Sequence, residues 1–292
     1  MLSLHQDSER YEKALKTFKD YSEEYEVYKQ WYETKFEQLV ADKIKLEKGG
    51  QQELRVMGVG SGSGEADYEM LKRLLSRHPN ISNVVIEPAD QMMHKYRHLV
   101  TSRQQSLSGV VFDWRQQKYE DYQRDCQQAD VTKFNFIHVI HSLYRMSDLD
   151  AVLESLWERL DNGGVLLIII TSETSGLHHV HEKFDEKIEG INRPTKRFKS
   201  SDVLKVFDKL GLTYKVHPQP LRLDITKCFQ DGDPDGDLIL DFMNYAINFR
   251  DVLPKTLVED YLQFLKDPQC SEVCGDKVLL NMDWNAILVY KE

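Results

Sequence analysis

From residue 54 to residue 170 the chain alternates short, almost wholly apolar runs with longer amphipathic ones. The apolar runs at 54–59, 83–88, 109–114, 134–140 and 165–170 have strand length. The segments 66–77, 89–100 and 149–160 carry apolar residues at helical spacing and predict the intervening helices. Asp161-Asn162-Gly163-Gly164 predicts a turn before the fifth strand. The runs are continuously apolar, as expected of strands covered by helices on both faces. The expected fold is α/β, a Rossmann-like doubly wound sheet.

Both flanks depart from this rhythm. Residues 8–47 are polar, with Tyr11, Leu15, Phe18, Tyr21, Tyr25, Tyr28, Trp31, Tyr32 and Phe36 at helical spacing, which predicts two helices or one broken helix ended by Gly49 and Gly50. After residue 171, helices are expected at 201–210, 238–249 and 254–265, a strand region at 212–224, and a closing strand pair at 278–281 and 284–290. Segments 172–200 and 225–275 are too long for ordinary connections and suggest a small lobe over the carboxyl edge of the sheet. The expected organisation is residues 1–50 as helices capping a substrate site, 51–171 as the cofactor-binding core, and 172–292 as lobe insertions plus closing strands.

Composition narrows the class. The 292 residues are 41% apolar and 29% charged, with a net charge of −10. No run nears the ~20 apolar residues that span a bilayer, and an acidic chain repels phosphate backbones. Neither a membrane nor a nucleic acid is expected as partner; the basic stretch at 193–199 reads as a solvated face. Four scattered cysteines fit a reducing cytoplasm.

The chemistry concentrates after the first strand. Val59-Gly60-Ser61-Gly62-Ser63-Gly64-Glu65 joins a strand to a helix, where glycines let the main chain turn sharply and a ligand approach it. The alternate spacing of Gly60, Gly62 and Gly64 differs from the dinucleotide pattern G-x-G-x-x-G and suits S-adenosylmethionine. Glu87 ends the second strand, placed to accept hydrogen bonds from both ribose hydroxyls. Ligands of open parallel sheets lie beyond the strand carboxyl ends, so residues 140–145 should face cofactor and substrate, and 113–119 the adenine.

These motifs, with Lys95-Tyr96, Phe136-Ile137-His138, Leu143-Tyr144, Gly236-Asp237-Leu238, Asp241-Phe242 and Lys277-Val278-Leu279, resemble the histamine N-methyltransferase family over nearly the whole chain. The resemblance implies a monomeric cytoplasmic enzyme that methylates an imidazole nitrogen. It assigns Gly60, Glu87 and Ile140 to the cofactor; the adenine contacts fall at Gln91 or Met92 and at Tyr119, which differ from the family's residues. On the substrate side Glu24, Tyr11, Phe18 and Phe242 match. His141, Met282, Leu177, His181 and Arg145 replace the family's glutamine, asparagine, two tryptophans and tyrosine.

Those replacements remove aromatic wall and add cationic or titratable groups. Arg145 can hold a carboxylate bidentately, which favours carnosine over histamine; its competing role is an ion pair with Asp148. Glu24 would bind an ammonium or ring N–H, and His141 would fix the ring tautomer. A cofactor-binding protein without turnover, or a dehydrogenase, are the alternatives from other classes. No metal is expected: the acidic run 231–236 lacks the carboxylate at the twelfth position of a calcium loop, where Phe242 stands. His178-His179-x-His181 reads as a solvated loop, and Cys270 and Cys274 as unpaired thiols.

Overall fold

The computed structural model describes residues 3–46, 53–126, 132–188 and 197–292. Gly49, Gly50 and most of the basic stretch 193–199 lie outside them. The chain forms two compact units, one of residues 1–29, 171–197 and 218–284, the other of 30–170, 198–217 and 285–292.

The second unit holds the alternating pattern. Strands β1 (Leu54–Val59), β2 (Ile81–Ile86), β3 (Val110–Arg115), β4 (Phe134–Ile140), β5 (Leu160–Thr171) and β6 (Tyr214–Gln219) belong to one sheet. With β10 (Trp284–Tyr290), this seven-stranded sheet has the order β3-β2-β1-β4-β5-β10-β6. The pairs β1–β2, β2–β3, β1–β4 and β4–β5 are parallel. Helices α3 (Glu65–Leu74), α4 (Asp90–Ser102), α5 (Tyr119–Cys126), α6 (Leu149–Arg159) and α8 (Ser200–Lys209) flank it. Asp148 caps α6 through the Ala151 N–H. Ile137, Val139, Leu166, Ile168 and Ile287 are fully or almost fully buried in the core of this unit.

Two expectations about the strands are corrected. Residues 161–164 lie within β5 rather than in a turn before it, because their backbone is paired: Gly163 N–H donates to Lys291 O, its carbonyl accepts from Lys45, and Gly164 O accepts from Lys291. The strand absorbs the glycines through a register shift between Phe134 and Phe136, with Gly163 at φ 76°. The segments 278–281 and 284–290 do not pair with each other. Strand β9 (Lys277–Asn281) alternates in burial and joins an antiparallel sheet of order β7-β9-β8, with β7 (Arg222–Asp224) and β8 (Ser271–Cys274). Strand β10 is buried on both faces, which suits an interior strand of the large sheet.

That small sheet belongs to the first unit, with α1 (Ser8–Tyr21), α2 (Glu24–Trp31), α7 (Gly176–Phe184), α9 (Pro234–Asn244), α10 (Phe249–Val252) and α11 (Lys255–Leu265). The N-terminal helix is indeed broken, at Ser22, and α2 runs on as a π-helix over Tyr32–Ala41. The acidic run starts α9: Asp233 accepts from the N–H groups of Asp235 and Gly236 and pairs with Lys227. The histidines are on α7, not in a loop. Its inner face buries Val180, His181 and Phe184, and His181 Nε2 lies 3.0 Å from Met243 O. Among the described residues no cluster could hold a metal ion, and all four cysteines are free.

The helix expected over 238–249 is divided. Asp241, 1% exposed, accepts the N–H groups of Asn248 and Phe249, folding the chain back through Tyr245 and Asn248, both at φ 53°. Its Oδ2 also takes Arg10 Nε and Nη2 at 2.7 and 2.6 Å, seating α1 on α9. Asp241→Ala would strand a guanidinium and two main-chain donors. We expect a loss of about 3–5 kcal/mol, read by urea unfolding.

Candidate active site

The sheet order reverses between β1 and β4, so the chain leaves these neighbouring strands in a crevice at their carboxyl ends. The turn after β1 is built there. Gly60, Gly62 and Gly64 have φ of 69°, 57° and 85°, a region closed to most side chains. Gly60 N–H donates to Ile86 O at 2.7 Å, and Gly64 N–H to Ser61 O at 3.1 Å. A side chain at Gly60 would strike Ser142 and one at Gly64 the Tyr96 ring, whereas the place of a Cβ on Gly62 has no atom within 4 Å. The turn is thus packed below and open above.

Glu87, 7% exposed, closes the crevice from the end of β2. Its Oε2 accepts from Gly62 N–H and its Oε1 from Ala89 N–H, both at 2.9 Å. One carboxylate therefore sets the turn and the start of α4, and retains lone pairs for a diol. Gln91 and Met92 follow in the first turn of α4, exposed and half-buried. Tyr119 is buried, with its hydroxyl 3.0 Å from Ser155 Oγ and burial raising its pKa to about 12. Ser142, which no motif marks, donates to Val59 O at 2.8 Å and ties the two loops together. It lies two positions past the end of β4, and its only signal in the chain was its place in the stretch 140–145.

Ile140 ends β4, and His141 follows at φ 47°. Left-handed backbone in a non-glycine residue is uncommon and gathers at functional sites. His141 N–H donates to Ile169 O, and loss of hydration lowers the imidazole from 6.5 to about 4, so the ring is neutral at pH 7. Arg145 is exposed, with its guanidinium 5.6 Å over the Tyr144 ring. Asp148 is engaged in capping, and among the described residues Arg145 has no ion pair.

In the first unit Tyr11, Phe18 and Phe242 come together. Phe242 lies 6.1 Å from Tyr11 and 4.6 Å from Phe18 between ring centroids. Leu177 and Met282 pack half-buried against the same core. Glu24 opens α2, half-buried. Its carboxyl is raised by desolvation, which Lys19 only partly offsets, and among the described residues its carboxylate has no hydrogen bond or ion pair.

Residues 28–214 match the model of a methyltransferase domain family. Histamine N-methyltransferase of Xenopus tropicalis is 30% identical over 99% of this chain and 98% of its own length. The chain belongs to the histamine N-methyltransferase family. Carnosine N-methyltransferase 2 of Gallus gallus, 33% identical over 93% of this chain and 84% of its own, is another relative. The YcgJ protein of Bacillus subtilis shares the fold, with a TM-score of 0.50 and 12% identity over 83% of this chain and 94% of its own. Like its family, the chain is an S-adenosylmethionine-dependent N-methyltransferase, and an open glycine turn facing a strand-end carboxylate fits that cofactor.

Two outcomes follow for this family member. Glu87→Ala removes the acceptor that sets the turn, so S-adenosylmethionine binding should weaken at least tenfold by calorimetry. The lowered His141 pKa means the folded chain binds fewer protons than the unfolded one between pH 6.5 and about 4. Stability should therefore be lost as pH is lowered from 6.5 to about 4, more steeply than in His141→Asn, which tolerates the same backbone. Parallel pH–stability curves would refute this role for the ring.

Proposed function

We propose that the enzyme methylates a ring nitrogen of a small imidazole substrate bearing an ammonium group, and that the substrate also carries a carboxylate, as carnosine does. The observation that carries the reading is Glu24, a half-buried carboxylate without a partner among the described residues. A buried charge is costly unless paired, and a cationic ligand supplies the missing charge. Tyr11, Phe18 and Phe242 support it as aromatic faces suited to a flat ring or an ammonium. Arg145, lying on Tyr144 with no ion pair among the described residues, supports the carboxylate.

S-adenosylmethionine brings an already activated methyl group, so the protein's task is to position and desolvate. A substrate imidazole with pKa near ~6.5 offers its lone pair at neutral pH without a strong base. Glu24 would anchor the amine, and neutral His141 would bond the remaining ring nitrogen, selecting the tautomer. As the nitrogen–methyl bond forms the methyl–sulfur bond breaks, and the proton on the other ring nitrogen of the resulting imidazolium leaves to water. Histamine is the second reading, favoured by the likeness to the Xenopus tropicalis enzyme across both chains; it needs Glu24 and the aromatic group but not Arg145.

Purified protein with labelled S-adenosylmethionine should transfer label to carnosine in preference to histamine or histidine. Glu24→Gln should raise KM for the amine substrate about tenfold or more, the cost of a charge-assisted bond. Arg145→Ala should raise KM for carnosine and leave histamine unaffected. Label in histamine alone would eliminate the carboxylate argument, and an unchanged KM in Glu24→Gln the anchoring role.

A further inference from the structure

Beneath the cofactor turn lies a buried polar cluster that the roles of residues 60–64 and Glu87 leave unexplained. Asp67, in the first turn of α3, is 1% exposed. Tyr96 of α4, wholly buried, donates its hydroxyl to Asp67 Oδ2 at 3.0 Å. His138 of β4 brings Nε2 within 3.7 Å of Asp67 Oδ1. The Ser61 hydroxyl, buried in the turn itself, stands beside the same carboxylate without a bond of normal geometry, yet close enough to favour its charged form. Asn83 of β2, with no exposed surface, stands near the Tyr96 hydroxyl, its amide making no hydrogen bond of normal geometry among the described residues. A further charge that acts on Asp67 is Glu65, exposed at the head of α3.

The cluster exists because residue 58 is glycine. A Cβ there would lie 2.4 Å from Ser61 Oγ, 2.7 Å from His138 Cε1 and 2.8 Å from Asp67 Oδ2. Any side chain on that face of β1 would fill the space the carboxylate occupies. At the other end of the turn the Tyr96 ring supports Gly64, where a Cβ would come within 2.1 Å of it. Ser61 and Gly64 are the two residues closed by the hydrogen bond across the turn. Asp67 stands beside the first directly and reaches the second through Tyr96. An apolar side chain would fill this space at less cost than an ionisable one, so the polar contacts serve geometry rather than burial.

We propose that Asp67 is a positioning residue for the cofactor turn: held by Tyr96 and flanked by His138, it fixes Ser61 and Gly64 so that the turn is preset for S-adenosylmethionine. The proposal rests on the placement of that cofactor at residues 60–64 and Glu87. Preset donors bind without first ordering the loop, so their loss appears in cofactor affinity. Asp67→Asn keeps an acceptor for Tyr96 and removes a buried charge; Tyr96→Phe removes one oxygen and keeps the ring under Gly64.

The test measures S-adenosylmethionine binding by calorimetry, KM for both substrates and thermal midpoint, with Glu87→Ala as reference. Each variant is expected to weaken cofactor binding and raise its KM five- to tenfold. KM for the methyl acceptor should stay within twofold, and the Asp67→Asn midpoint should not fall. Binding within twofold of the parent in both variants, while Glu87→Ala weakens it, overturns the positioning role alone. Normal binding in Glu87→Ala overturns the placement and this proposal with it. A fall in midpoint with both KM values rising together marks a merely structural cluster and also overturns it. Should Asp67→Asn fail to fold, Tyr96→Phe decides the matter by the same readings.

Discussion

The unit built on the large sheet depends on a close approach between the ends of β1 and β4. Ser142 reaches across to the carbonyl of Val59, and that contact leaves no room for a side chain on Gly60. Once the strands meet there, the chain leaving β1 must turn through left-handed backbone, which only glycine adopts freely. Glu87 then fixes the turn from the β2 side by accepting the Gly62 N–H. The open space over Gly62, the buried acid and the start of α4 meet at this one approach, and together they form a cleft whose chemistry fits an adenosine-containing cofactor.

The first unit is organised by a different buried acid. Asp241 satisfies two main-chain donors and a guanidinium, holding α1 on α9 and bringing Tyr11 and Phe18 to Phe242. Glu24 stands in contrast: desolvation raises its carboxyl, Lys19 offsets this only in part, and among the described residues it has no hydrogen bond or ion pair. Fully paired acids stabilise architecture, and an acid left without a counter-charge is a place for a ligand to supply one. The same comparison separates Glu87, whose oxygens hold backbone donors at a cleft, from Asp67, enclosed beneath it.

Much of the core was legible in the chain because its signals are local. Five apolar runs and three amphipathic ones marked the strands and helices around the turn, and three alternate glycines followed by Glu87 marked the turn and the acid that holds it. The failures arose where a local pattern had more than one partner to choose from. The glycines at 163 and 164 are turn residues by composition, yet the main chain of Lys45 and of Lys291 pairs with them and draws them into β5. The run 238–249 has helical spacing throughout, but Asp241 captures the N–H groups that would have continued the helix.

The sequence by itself determined the fold class, the turn and its acid, because strand length, glycine spacing and a strand-end carboxylate are properties of neighbouring residues. The tertiary structure decided which sheet each closing strand entered: β9 alternates in burial beside β7 and β8, whereas β10 is buried on both faces in the large sheet. It also decided which charged groups were spent on architecture and which stayed available, because partners such as Arg10 and Asp241 lie 231 positions apart along the chain. Buried polar pairing is a long-range property, and no period or motif along the chain encodes it.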